Sequence, residues 1–276
     1  METPIGPVHP PTLLRPPPEP ASAFLRYVAI GDSSTEGIDD PAPNGGWRGW
    51  SRRLAERLAR HGSLEYANFG ERGLTTREIR DRQLAPALAL APDLVTFFSG
   101  TNDVIRPRFD VHAVLADVRH VQQSCVAAGA VVVTFTLPDL TPLLPLAGLI
   151  APRIRALNAG VRRVCAETGA RLVDFAAHPM ATDPRLWSDD RLHANSAGHA
   201  RIADALAEAL GLPGANGAWG EPLPILPPLR PWQRLQREVA WIERHLMPWL
   251  WLGLTRRGPA ARTPARPVLL QRVGRT

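Results

Sequence analysis

Between residues 23 and 212 the chain alternates, five times over, a short run of β-type residues with a longer amphipathic stretch. No other feature narrows the fold as much. Strands that alternate with helices pair in parallel and leave both faces of their sheet to be covered by helices. The strand-like runs are residues 24–30, 64–69, 94–98, 130–136 and 171–174. Helical periodicity fills 47–61, 111–128, 153–168 and 196–210, and a further helix begins at 75–83. Gly62, Gly129 and Gly169 supply helix stops. The expectation is an α/β domain with a five-stranded parallel sheet. Such sheets bind ligands outside the carboxyl ends of their strands, so chemistry is sought there.

The flanks differ. Residues 1–22 hold eight prolines within their first 20 positions and read as a disordered, extended arm without the apolar core of a secretory signal. Residues 213–276 form a Pro- and Arg-rich tail with one amphipathic helix at about 231–254. Trp232, Leu235, Val239, Ile242, Leu246 and Trp249 recur there at three- and four-residue spacing, and Trp241, Leu250, Trp251 and Leu252 widen the apolar surface. Packing back on the domain, resting on an anionic membrane surface, and association with a partner or with itself are the readings open to this stripe. Residues after Arg256 read as disordered. No apolar run reaches the roughly 18 residues of a membrane span.

Charge follows the same division. The net charge is +6, yet residues 1–212 carry 22 arginines against 23 acids, and residues 213–276 carry 10 against 3. The basicity belongs to the tail, so the body is no nucleic-acid platform. Cys125 and Cys165 stand far apart in helix-like segments and read as buried thiols of a reducing compartment. The expected location is cytoplasmic, with peripheral membrane contact through the tail left open; the oligomeric state is not legible.

Polar clusters sit at the strand ends. The first strand runs into Gly31-Asp32-Ser33-Ser34, the second into Asn68-Phe69-Gly70-Glu71-Arg72-Gly73, and the third into Gly100-Thr101-Asn102-Asp103. A long loop after the fifth reaches Asp190-Arg191-Leu192-His193. No histidine or carboxylate cluster has zinc-like spacing, and no Gly-rich phosphate loop occurs, so neither metal nor cofactor is expected. Thr35 stands where a Gly-x-Ser-x-Gly elbow would place its second glycine.

Gly31-Asp32-Ser33, Gly73, Gly100-Thr101-Asn102-Asp103 and Asp190-x-x-His193 come in the order of the blocks of the SGNH (GDSL) hydrolases, which residues 24–211 resemble. The resemblance implies a doubly wound, flavodoxin-like sheet of strand order 2-1-3-4-5. Ser33 would then lie between Gly73 and Asn102. A serine hydroxyl needs a base to take its proton. His193 fits that role, and Asp190 would hold its imidazole in one tautomer. The backbone N–H groups of Ser33 and Gly73 and the Asn102 side chain would receive the oxyanion. Asp32 and Asp103 would brace the loops.

Ser34 is the neighbouring candidate nucleophile. His199, inside the last helix, and His178, beside Pro179, compete with His193; the first reads as a packed or exposed helix residue and the second as exposed. Residues 140–150 read as an apolar loop, either lining an acyl pocket or packed over the core. Trp47 and Trp187 are candidates for the floor of a sugar or acyl site, or for plain packing. The implied activity is a serine esterase acting on a small ester, such as an acylated sugar or a lipid ester, through an acyl-serine. Acyl transfer to an alcohol and a non-catalytic membrane-associated module on the same fold are the alternatives.

Overall fold

Residues 26–31 and 94–98 are almost wholly apolar, and Tyr27, Val28, Ala29, Ile30, Leu94 and Val95 are completely buried. Runs apolar on both sides belong in the middle of a parallel sheet. The computed structural model, which describes residues 24–43, 45–145, 147–225, 227, 230–248 and 268–274, puts them there. The expected N-terminal arm, and Trp249, Leu250, Trp251 and Leu252 of the tail, lie outside the described residues.

The strands are β1 (Arg26–Gly31), β2 (Leu64–Asn68), β3 (Leu94–Phe98), β4 (Val131–Phe135), β5 (Arg171–Val173) and β6 (Gln271–Val273). The helices are α1 (Ser33–Glu36), α2 (Gly49–Ala59), α3 (Thr76–Ala89), α4 (Thr101–Ile105), α5 (Val111–Ala127), α6 (Ala151–Thr168), α7 (Ser196–Ala209) and α8 (Pro231–Trp241). The sheet order is β5-β4-β3-β1-β2-β6. The first five strands are parallel, in the order 2-1-3-4-5. Helices α2 and α7 pack together on one face, while α3, α5 and α6 pack in sequence on the other.

The sheet has six strands, not the five expected. β6 runs antiparallel to β2, with Val273 opposite Leu64 and Gln271 opposite Tyr66. It comes from the stretch after Arg256 that reads as disordered. Its pairing satisfies backbone groups that β2 would otherwise leave open at the sheet edge, and it buries Val273. With only three residues paired, it carries no alternation long enough to be recognised in the sequence.

Two short helices were also unanticipated. Asp32 caps α1 by accepting the Ser34 N–H at 3.0 Å, and Gly100, at φ +113°, opens α4. Gly31 makes the first turn possible. A Cβ there would stand 2.1 Å from Thr35 Oγ1 and 2.6 Å from the Phe98 carbonyl oxygen. The Gln83 side chain grips the same residue twice, accepting its N–H at 2.8 Å and donating to its carbonyl at 2.9 Å. The strand end that leads into Ser33 is therefore fixed from α3.

Both cysteines are buried free thiols, and burial pushes Cys125 up to about 12. No helix among the described residues is long and apolar enough to cross a membrane.

Candidate active site

The strand order brings three of the four sequence clusters side by side: Ser33 at the head of α1, the loop after β2, and Asn102 at the head of α4. The fourth arrives from the loop before α7. His193 Nε2 stands 2.8 Å from Ser33 Oγ, and His193 Nδ1 stands 2.6 Å from Asp190 Oδ2. Ser34 is engaged elsewhere, its hydroxyl accepting the Trp50 indole N–H at 3.2 Å. That contact separates the two adjacent serines.

Asp190 is held from several sides. Its Oδ1 accepts from Ser188 Oγ (2.7 Å), Leu192 N (2.8 Å) and His193 N (3.0 Å). Burial would raise its pKa, but these donors and the His193 ring drive it far below the usual carboxylate range. For His193 burial works toward a lower pKa, and the hydrogen bond and charge of Asp190 overcome it, so the net shift is upward. An ionised carboxylate beside a histidine of raised basicity is the electrostatic arrangement of a general base.

Asp32 is 1% exposed, and burial pushes its carboxyl up to about 7 against the pull of the Ser34 N–H and His193. Asn102 Nδ2 donates to the Leu74 carbonyl at 3.0 Å and reaches Asp32 Oδ2 at 3.4 Å. Asp103 accepts from both the N–H and the hydroxyl of Thr76 at 2.9 Å, tying α4 to the start of α3. Gly73, at φ +79°, lies in the loop between β2 and α3 with open space where a Cβ would be. It does not line the cavity at Ser33.

That cavity, with a free volume of about 90 Å³, opens beside Ser33, Asn102 and His193. Phe98, Phe135, Leu137, Leu140, Phe175 and Met180 make its walls apolar. Phe98 and Phe135 stack at 4.1 Å, and Phe175 meets Phe135 edge-on at 5.4 Å. The apolar loop after β4 divides its work: Leu140 lines the cavity, while Leu143 and Ala147 are buried in the core. Trp187 lines the cavity with its N–H on the Ala181 carbonyl; Trp47 does not line it and is 40% exposed.

The competing histidines are placed elsewhere. His199 is buried, accepts the Trp50 N–H at 3.1 Å through Nδ1 and donates to the Ile38 carbonyl at 2.9 Å. His178 is half-buried against Trp219 at 4.5 Å, because the segment after α7 returns over it; the expectation of exposure is corrected.

A family model for GDSL-like lipases and acylhydrolases matches residues 29–201. The chain belongs to that family. This GDSL hydrolase is accordingly a serine hydrolase acting on carboxylic esters. Its fold is similar to an acetylxylan esterase from Geobacillus stearothermophilus, at 20% identity and TM-score 0.58, over 70% of this chain and 97% of that one. Catalytic mutants of that esterase replace a serine and a histidine by alanine. A psychrotrophic esterase from Pseudoalteromonas sp., inhibited by monoethylphosphonate, is similar at 20% identity and TM-score 0.54, over 67% and 96% of the two chains. An α/β hydrolase enzyme from the metagenome of Lake Arreo, Spain, is similar at 25% identity and TM-score 0.55, over 69% and 97%. No curated protein sequence matches this GDSL hydrolase.

Two features of its site escaped the sequence reading. Asp39, at φ +69°, brings a second carboxylate to His193, and ligand atoms of Asp39, Asp190 and His193 all lie within 4.8 Å of one another. Asp190 and His193 already share their own hydrogen bond, so the trio reads as an acid–base pair with a second carboxylate alongside. The other feature is α8, which reaches back to the loop at 190–193. A non-glycine residue at positive φ next to a chemical cluster is a signal visible only in three dimensions.

Proposed function

We propose that this GDSL hydrolase cleaves its ester through an acyl-Ser33 intermediate and takes substrates with an apolar acyl chain of short to medium length. The observation that carries the reading is the unbroken line Asp190–His193–Ser33, with contacts of 2.6 and 2.8 Å. As Ser33 Oγ attacks the ester carbonyl, His193 Nε2 takes its proton, and the carbonyl π electrons move onto oxygen. The Ser33 N–H receives that oxyanion, and Asn102 joins it with the hydrogen that now meets Asp32 only at 3.4 Å. Gly73, the further donor that the resemblance implies, stands outside the cavity lining. Collapse expels the alcohol, which takes the proton from His193. Water activated by His193 then releases the acid and restores Ser33. Acetylxylan and phosphonate-sensitive esterases among the structural neighbours support this class of chemistry.

The acyl length follows from the cavity. About 90 Å³ is open to the centre of a water-sized sphere and the walls are apolar, which favours a few acyl carbons over a long fatty chain. Nitrophenyl esters graded from acetyl to dodecanoyl test this. The expected result is a kcat/KM maximum between the ends of the series and no turnover by Ser33→Ala. A maximum at dodecanoyl would sink the length assignment, and full activity of Ser33→Ala would sink the acyl-serine.

A second reading concerns where the ester is met. Trp232, Leu235 and Val239 on α8, and Met247 beyond its end, are 54%, 66%, 46% and 56% exposed, on the segment that holds the excess of arginines. Exposed tryptophan and aliphatic side chains among arginines suit an anionic lipid surface. Sedimentation with vesicles containing phosphatidylserine should carry the protein down and release it as salt rises. Equal recovery with neutral vesicles would refute a charge-assisted contact.

A further inference from the structure

His193 and Asp190 sit three residues apart on one tight loop, so the line to Ser33 depends on how firmly that loop is held. Inside it the Ser188 N–H donates to the His193 carbonyl at 2.8 Å and the Arg191 N–H donates to the Ser188 carbonyl at 3.0 Å. Arg191 itself is left-handed at φ +61°, a conformation that side-chain-bearing residues rarely adopt. Contacts from outside the loop add to these internal bonds.

Helix α8 supplies the hold. The Glu238 carboxylate accepts from both terminal nitrogens of Arg191 at 2.8 Å, a two-point grip on a planar cation. The Arg191 guanidinium lies 5.0 Å from the Trp241 ring centre, stacked as a cation over an aromatic face. The Trp241 indole N–H then donates to the Asp190 backbone carbonyl at 3.3 Å. A third element joins in, since Arg191 also donates to the Leu143 carbonyl at 3.3 Å. The Arg191 side chain is 17% exposed and the Glu238 side chain 44%, so the shielded end of the pair is the cation. Glu238 and Trp241 both lie beyond residues 29–201, where the family model ends.

We propose that Glu238 and Trp241 are positioning residues, through which α8 holds the loop at 190–193 so that Asp190, His193 and Ser33 stay in line. The proposal rests on the reading of those three residues as the catalytic line. It makes the tail helix part of the hydrolase site. A second protein segment, remote in sequence, thereby controls the geometry of the acid and base without touching substrate.

The test uses the full chain with the variants Glu238→Gln, Glu238→Asp and Trp241→Phe. Active sites are counted by phosphonate labelling of Ser33, and kcat and KM are measured per labelled site across pH. Misplacement of a catalytic group by a remote change costs up to about 100-fold in rate. Glu238→Gln is therefore expected to lower kcat per site by about 10-fold or more with KM unchanged. Glu238→Asp, which keeps the charge, should recover much of it. Trp241→Phe keeps the ring but loses the N–H and should fall between the wild type and Glu238→Gln.

The pH profile separates positioning from folding. The charges facing His193 are Asp190 on its own loop, Asp32 at the head of α1 and Asp39 on the loop that follows α1. Only Asp190 is tied to α8. Loosening it removes part of what raises the His193 pKa, so the acid limb of kcat/KM should move to lower pH in Glu238→Gln. Wild-type kcat in that variant overturns the proposal. So does a loss confined to the number of labelled sites, with the acid limb unmoved, because that is a folding effect. Failure of the wild type to label at Ser33 overturns instead the catalytic line itself, and this proposal with it.

Discussion

Replacing Asp190 by asparagine is the sharpest perturbation of the site, because almost all of its surroundings can stay as they are. The side-chain carbonyl of asparagine can still accept from Ser188 Oγ, Leu192 N and His193 N, now at 2.7, 2.8 and 3.0 Å. The loop therefore keeps its internal bonds. What changes is the atom 2.6 Å from His193 Nδ1, where an NH₂ group replaces an anionic oxygen. Two donors cannot face each other, so the imidazole must move its proton from Nδ1 to Nε2. The nitrogen 2.8 Å from Ser33 Oγ then carries a hydrogen and cannot accept another. The same tautomer error in a serine–histidine–aspartate triad costs about 10⁴ in kcat. That factor is about 5.5 kcal/mol of transition-state stabilisation. The negative charge that raises the His193 pKa is lost as well, so the acid limb of the residual activity should lie lower. Steady-state hydrolysis of a butyryl nitrophenyl ester, normalised by phosphonate-titrated sites and accompanied by a melting curve, measures it. Retention of more than about a tenth of kcat would refute the tautomer argument. Asp39, whose carboxylate also lies within 4.8 Å of His193, would then be the group to replace.

Other expectations are equally direct. Asn102→Ala should lower kcat by about 10²–10³ with little change in KM, as loss of one oxyanion donor does; an effect confined to KM would mean that Asn102 binds the ground state. In the wild type, kcat/KM should fall as pH drops through the raised His193 pKa, because only the neutral ring accepts a proton. The midpoint should therefore lie above the ordinary histidine value of about 6.5, and a midpoint below it contradicts the pairing with Asp190. Gly31→Ala should destabilise the fold by at least about 2 kcal/mol, since its Cβ would meet Thr35 Oγ1 and the Phe98 carbonyl. An unchanged melting temperature would show that the turn into α1 can relax.

The parts of this architecture that could be read from the chain were those written locally. Strands β1 and β3 announce themselves as unbroken apolar runs, and the clusters at their ends follow immediately in sequence. The order of strands came from family resemblance and could not have come from periodicity. Helices α1 and α4, at four and five residues, are too short to show a period. Asp39 was invisible because its approach to His193 depends on a single left-handed residue, not on spacing. The Arg191–Glu238 pair joins residues 47 apart, across a proline-rich stretch that reads as a separate tail. The stripe along that tail was legible, but its use was not. Glu238, a polar position between Leu235 and Val239, makes the contact with the hydrolase loop, while Trp232, Leu235 and Val239 face outward.

The antiparallel edge strand has a consequence for the timing of assembly. Its partner β2 is complete once residue 68 has been synthesised, yet residues 271–273 follow some 200 positions later. At translation speeds of ~5–20 residues per second, that delay is on the order of 10–40 s. Once β5 ends at residue 173, about half-way through that interval, the nascent domain can pair its core strands and bury most of its centre while one flank still offers open backbone groups to any passing chain. The ribosome-bound molecule thus spends longer with a sticky border than the finished one ever does, and holding factors that shield extended segments would find their target at β2.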